Sequence, residues 1–125
     1  METNKQRTGR FGEDAAVSFL RKNGYRILRR NFKALGHEID IIAENKDVLA
    51  FIEVKTRRTD PAGPMPFGRP AAAVSTEQQR HIILAARCYL AAHPTSKPCR
   101  LDIIEVYADP QAPPLIKHMC GAFHA

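Results

Sequence analysis

Two short apolar runs, Ile39–Ala43 and Val48–Val54, flank the polar stretch Asn45-Lys46-Asp47. β-Branched and aromatic residues dominate both runs and the break between them is turn-like, which predicts an antiparallel hairpin. Charge interrupts these runs where a buried strand keeps apolar residues, at Glu38, Asp40, Glu53 and Lys55. With Lys46 and Asp47 at the tip, counting outward sets Asp40 opposite Glu53 and Glu38 opposite Lys55. All four then share one face, because side chains alternate with a period of two. Directly opposed residues hold their Cβ atoms about 4.5–5.5 Å apart, where two carboxylates repel. A divalent cation between them removes that penalty, since Mg²⁺ takes oxygen ligands at about 2.0–2.1 Å. The tip lacks the Gly that a two-residue turn favours. A register slip of two keeps the face, and a slip of one reverses it. The plainer alternative is a solvated outer face carrying a Glu38–Lys55 ion pair.

Residues 1–8 are polar and predict a frayed start. From Phe11 to Asn23 the apolar positions Phe11, Ala15, Ala16, Phe19 and Leu20 recur at helical spacing. Glu13 and Asp14 read as first-turn acids, Lys22 as a last-turn base, and Gly24 as the stop. Tyr25–Phe32 predicts a first strand, with Arg26, Arg29, Arg30 and Lys33 along an exposed edge or face. That strip suits phosphate contact, or merely blocks edge pairing. Four prolines and two glycines between Arg57 and Pro70 predict a long loop over 57–74, starting directly after the hairpin. A loop so placed can fold over a substrate, with Arg57, Arg58 and Arg69 as phosphate contacts. A second helix runs from Ser75 to His93, where Ser75 and Gln78 make a capping-box signature and Ile82, Ala86, Tyr89 and Leu90 an inner stripe. Arg100–Tyr107 is a β-branched strand, and Leu115–Met119 a possible short last one. The order αβββαβ, with or without that final strand, predicts an α/β domain with a mixed central sheet flanked by two helices.

At 125 residues the chain predicts a single domain, 1–125. The absence of a 20-residue apolar run and of a signal-peptide core points to a soluble cytoplasmic protein without membrane contact. Cys88, Cys99 and Cys120 form no Cys-x-x-Cys pair, so neither a disulfide framework nor a zinc site is suggested. Net charge is +6, and residues 1–33 carry nine Lys and Arg against three Asp and Glu, while the remaining 92 carry ten of each. A basic patch beside an acidic, metal-holding face suits a protein that handles a polyanion.

An acid, a spacer and then Glu-x-Lys on the next strand is the pattern of the PD-(D/E)xK nucleases. Further fragments extend the likeness: Gly12-Glu13, Gly24-Tyr25-x-Ile27-Leu28-x-x-Asn31-Phe32, Glu38-Ile39-Asp40-x-Ile42, Phe51-x-Glu53-Val54-Lys55-Thr56-Arg57, Phe67-Gly68, Ala73-Val74 and Arg100-x-Asp102-Ile103-Ile104. Together they resemble the YraN family of small bacterial proteins, which is similar to archaeal Holliday-junction resolvases and shares the restriction-endonuclease-like fold. The resemblance implies Asp40 and Glu53 as ligands of Mg²⁺ or Mn²⁺, Lys55 as the catalytic lysine, and Glu13 as the acid that resolvases carry on the first helix. Two departures stand out: His37 occupies the place of a common Gly before Glu38, and Gln78 that of a Lys on the second helix. Gln occurs at an equivalent helix position in related nucleases. A possible homodimer follows by analogy with resolvases.

These features predict metal-dependent phosphodiester hydrolysis on DNA, selective for branched structure rather than sequence. The alternative is a nucleic-acid-binding protein on a nuclease fold with weak or no catalysis. An interaction protein with a merely solvated charged face is a third reading. Metal-free RNA cleavage requires a Tyr/His/Lys set that nothing in the sequence brings together, although His37, His81 and His118 are present.

Overall fold

A computed structural model describes residues 2–58, 74–109 and 111–125. The chain runs α1 (Asn4–Lys22), β1 (Arg26–Ala34), β2 (His37–Glu44), β3 (Leu49–Arg58), α2 (Thr76–Ala92), β4 (Cys99–Asp109) and β5 (Ala112–Phe123). The five strands lie side by side in sequence order. Neighbours are antiparallel except β3 and β4, which run parallel across the α2 crossover. The α/β expectation of a mixed sheet flanked by two helices is met, with order αβββαββ. Arg69 and most of the 57–74 segment lie outside the described residues.

The hairpin has the register counted from its tip, with Ile41 opposite Ile52 and Ala43 opposite Ala50. The missing Gly is compensated by Asn45, whose Oδ1 accepts from the N–H groups of Asp47 and Val48, each at 2.8 Å. Both faces of the central strands are covered. Toward α2, Ile39, Ile42 and Phe51 pack with Ile82, Tyr89 and Ile103; toward α1, Ile41 and Ile52 pack with Ala16, Leu20, Ile104 and Val106. Double coverage explains why the strands read as near-continuous apolar runs.

Several boundaries differ from the sequence expectation. Helix α1 starts seven residues before Phe11, capped by a reciprocal Thr3–Gln6 box. Glu13 and Asp14 therefore lie mid-helix, where Arg30 of β1 holds them instead of the helix dipole. At α2, Ser75 Oγ accepts from Gln78 N–H at 3.0 Å, but the Gln78 side chain turns to Glu53, so only half of the capping box forms. Ala85 joins the buried stripe of α2 while Leu90 is only partly covered. Strand β5 has 12 residues rather than five, because its edge position tolerates Pro113 and Pro114.

One glycine sets how closely α1 approaches the sheet. A Cβ at buried Gly12 would stand 1.7 Å from Thr56 Oγ1 and 2.9 Å from Thr56 Cβ. Gly12→Ala gains about 0.5–1 kcal/mol of helix propensity, yet overpacking at such a contact costs about 1–3 kcal/mol. We expect a lower Tm for Gly12→Ala by thermal denaturation, and an unchanged or raised Tm would contradict this packing.

Candidate functional site

The β2–β3 ladder ends at Ile41 and Ile52, and beyond it the strands fork. In the opening, Asp40 Oδ2 accepts from Val54 N–H at 2.8 Å, replacing a ladder carbonyl with a carboxylate. Across on β1, Asn31 adopts φ +53°, a left-handed conformation that Asn tolerates. The two kinks switch faces: Ile41 points to the α1-side core and Ile39, two residues away, to the α2-side core. Asp40 sits at the switch and lines a cleft on each side. The larger, about 1050 Å³, is also lined by Arg10, Glu13, Arg30, Asn31, Glu38 and Lys55. The smaller, about 270 Å³, lies against Glu53, Gln78, His37 and His81.

Glu53 is 8% exposed. Its Oε1 accepts from Gln78 Nε2 at 2.9 Å and lies 3.6 Å from Lys55 Nζ. Lys55 Nζ also donates to Gln78 Oε1 at 3.4 Å, so one amide holds both residues. Burial, and then the charge of Glu53, push the Asp40 carboxyl up to about 8, against the pull of the Val54 N–H. Burial raises Glu53 as well, opposed chiefly by Lys55. Two carboxyl groups that burial and mutual repulsion keep from ionising together are thus confined with the Lys55 ammonium beside them.

The ladder stops before the expected Asp40–Glu53 and Glu38–Lys55 positions, so neither forms as a ladder pair, and Asp40 instead bonds Val54 N–H. Because the fork separates β2 from β3, Glu38 sits opposite Lys33 on β1, and Lys55 turns to Glu53 and Gln78. Glu13 reaches the larger cleft from α1, its Oε1 accepting from Arg30 Nε at 3.1 Å and Asn31 Nδ2 at 3.0 Å. Asp40, Glu53, Lys55, Glu13 and Gln78 thus all line the paired clefts.

The basic residues do not form one strip. A bulge between Ile27 and Arg29 and the kink at Asn31 turn successive side chains of β1 in different directions. Arg26 pairs with Glu44 at 3.2 Å near the hairpin tip. Arg29 covers the Phe32 ring at 5.2 Å, and Arg30 binds Glu13 and Asp14. Lys33 is exposed beside Glu38. Arg57 Nε lies 3.9 Å from buried Glu105, which accepts from Tyr107 Oη at 3.0 Å. Arg58 ends β3, and nothing is described of its side chain.

Two features escaped the sequence reading. Asn31 binds Glu13 from a left-handed backbone conformation, and its place mid-strand between Arg30 and Phe32 is the one local hint of it. His37 and His81, which the sequence leaves unconnected, stack at a 3.9 Å centroid distance and 10° between planes on the wall of the smaller cleft. Their meeting depends on the α2 crossover and has no local signal.

A two-helix α/β domain with paired carboxylates, a lysine and a glutamine at a strand fork is the class that fold and site define. Comparison with known families makes it particular: residues 12–106 match the model of the Uncharacterised protein family UPF0102, and the chain belongs to that family. It is 48% identical over 101 residues to a UPF0102 protein of Chlorobium phaeobacteroides, covering 80% of this chain and 76% of that one. A UPF0102 protein of Symbiobacterium thermophilum is 40% identical over 121 residues, covering 96% and 98% of the two chains. The YraN resemblance is thereby borne out. Among the described residues, no helix is long and apolar enough to cross a membrane.

Proposed function

We propose that the chain is a metal-dependent phosphodiesterase acting on DNA, selective for branched structure. The observation that carries this reading is the confinement of Asp40 and Glu53 at the fork, with Lys55 Nζ 3.6 Å from Glu53. The donor set fits Mg²⁺ or Mn²⁺: it is all oxygen, and the Val54 carbonyl is an adjacent further donor. Val54 N–H holds Asp40 Oδ2 and Gln78 holds Glu53 Oε1, and the hydrogen bond that the two carboxyls share is the contact the ion would replace. When bound, the cation supplies Lewis acidity toward the phosphoryl oxygens and a more acidic water. Lys55 Nζ donates to the phosphoryl oxygen on which charge develops. Gln78 keeps Lys55 and Glu53 in register with each other. Glu13, steadied by Arg30 and Asn31, orients a water from the α1 side. Arg10 and Lys55 on the walls of the larger cleft are contacts for phosphate without base readout.

Incubation of the purified protein with Mg²⁺ or Mn²⁺ and junction, flap, plasmid and single-stranded DNA tests this reading. Cleavage of the branched substrates is expected. Intact DNA in every lane, beside a control nuclease that cuts, would leave only salt-sensitive binding and contradict catalysis.

A further inference from the structure

A second group of ligand-type side chains lies on the α1 face of the β4–β5 hairpin. Asp102 of β4 is fully buried, His118 of β5 partly buried and Cys120 exposed. His118 Nε2 stands 2.7 Å from Asp102 Oδ2 and 3.7 Å from Cys120 Sγ, and one ligand atom from each residue lies within 4.8 Å of the others. Phe19 and Tyr25 meet the imidazole edge-on, at centroid distances of 6.1 and 5.9 Å, and fix its plane. The backbone is arranged for the meeting. The β4–β5 register shifts between Leu101 and Ile103, and Gly121 takes φ +63° and donates its N–H to Asp102 Oδ1 at 2.9 Å.

A purely structural network accounts for part of this. Arg100 forks onto Asp102, Nε to Oδ1 and Nη2 to Oδ2, both at 2.8 Å, and Nη2 also donates to Tyr25 Oη at 2.6 Å. The fork already neutralises Asp102, yet His118 is aimed at the same carboxylate with a thiol beside it. A Cys-His-Asp relay is excluded by the atoms: a relay joins its partners through opposite imidazole nitrogens, whereas here both neighbours meet Nε2.

We propose that Asp102, His118 and Cys120 form a binding site for a borderline divalent transition-metal ion of the zinc class. Tetrahedral bonds of about 2.3 Å to sulfur and 2.0–2.1 Å to nitrogen and oxygen set S···N at about 3.6 Å and N···O at roughly 3.3 Å. The thiol and imidazole already stand 3.7 Å apart, and the Asp102–His118 pair needs only to open from 2.7 Å. Arg100 Nε and Gly121 N–H on Asp102 Oδ1 then serve as outer partners that orient the ligating carboxylate, and Oδ2 is shared between the ion and Arg100 Nη2. The exposed side of Cys120 leaves a fourth position to solvent. Sulfur and imidazole donors reject Mg²⁺ and Ca²⁺, so this site and the all-oxygen pair at Asp40 and Glu53 take different metals.

Co²⁺ titration of the reduced full-length chain tests the proposal by absorption. Binding is expected to give a thiolate-to-cobalt charge-transfer band in the near ultraviolet together with visible ligand-field bands. Cys120→Ser, with its fold checked by circular dichroism, should lose the charge-transfer band. His118→Gln should weaken binding at least about tenfold, since even outer-shell changes cost about 10–100-fold. Asp40→Asn and Cys99→Ser should keep the band. No thiolate band at saturating Co²⁺, or one that survives Cys120→Ser, overturns the site.

Discussion

Asp40→Asn is expected to reduce Mn²⁺-dependent DNA cleavage by about 10³-fold or more without unfolding the protein. The amide oxygen of Asn still accepts from Val54 N–H, so the fork that Asp40 closes at 2.8 Å is kept. What disappears is one of two carboxylates. A metal's charge stabilisation in the transition state is worth several kcal/mol, and about 4 kcal/mol corresponds to 10³ in rate. Lys55→Ala should cost about 10²–10³-fold, the scale of losing one preorganised donor. Single-turnover cleavage of a junction substrate measures both, and a loss below tenfold for Asp40→Asn would remove that residue from the chemistry.

The same carboxylates should make the metal-free protein lose stability as pH rises from about 4 to about 8. Asp40 ionises near 3.9 in the unfolded chain but is held protonated up to about 8 in the fold. Between these values the unfolded state binds fewer protons, so unfolding gains by up to about 1.36 kcal/mol per pH unit. Glu53 pushes in the same direction, and Glu13 and Glu38 reinforce Asp40, while Lys55 opposes the rise at Glu53. Asp102 behaves oppositely: hydrogen bonds from His118, Arg100 and Gly121 outweigh its burial and hold it below the usual range. Its stabilisation is lost only as pH falls below about 4, outside this window. A decline of a few kcal/mol, on the order of 10 °C in Tm, is expected by calorimetry in the presence of a chelator. Asp40→Asn should flatten it, and a slope unchanged by Asp40→Asn would assign the decline to other groups.

Much of the site was legible because the hairpin is local. The tip sets the register as far as Ile41 and Ile52, and that much brings Asp40, Glu53 and Lys55 to one end of the hairpin. Parity alone failed at Glu38, because the β2–β3 ladder stops at Ile41 and Ile52 and a one-residue switch at Asp40 divides what an ideal strand keeps on one face. Gln78 was found through a family pattern, but its double hold on Glu53 and Lys55 depends on where the crossover helix lands. The His37–His81 stack and the Asp102–His118–Cys120 group join residues 44 and 16–18 positions apart in sequence, and short-range periodicity carries no trace of either. The basic residues looked like a strip because an ideal strand was assumed. The bulge at Ile27 and Arg29 and the left-handed Asn31 send Arg26 and Arg30 to carboxylate partners and Arg29 to the Phe32 ring instead.

Mn²⁺ binding to the wild type and to Asp40→Asn, followed by electron paramagnetic resonance as the loss of free-ion signal, tests the central claim most directly. The wild type is expected to take up Mn²⁺ and to be stabilised by it, most strongly above pH 8 where both carboxylates ionise. Asp40→Asn should lose this uptake while Cys120→Ser retains it. Equal Mn²⁺ affinity in the wild type and Asp40→Asn would contradict a metal site at the β2–β3 fork.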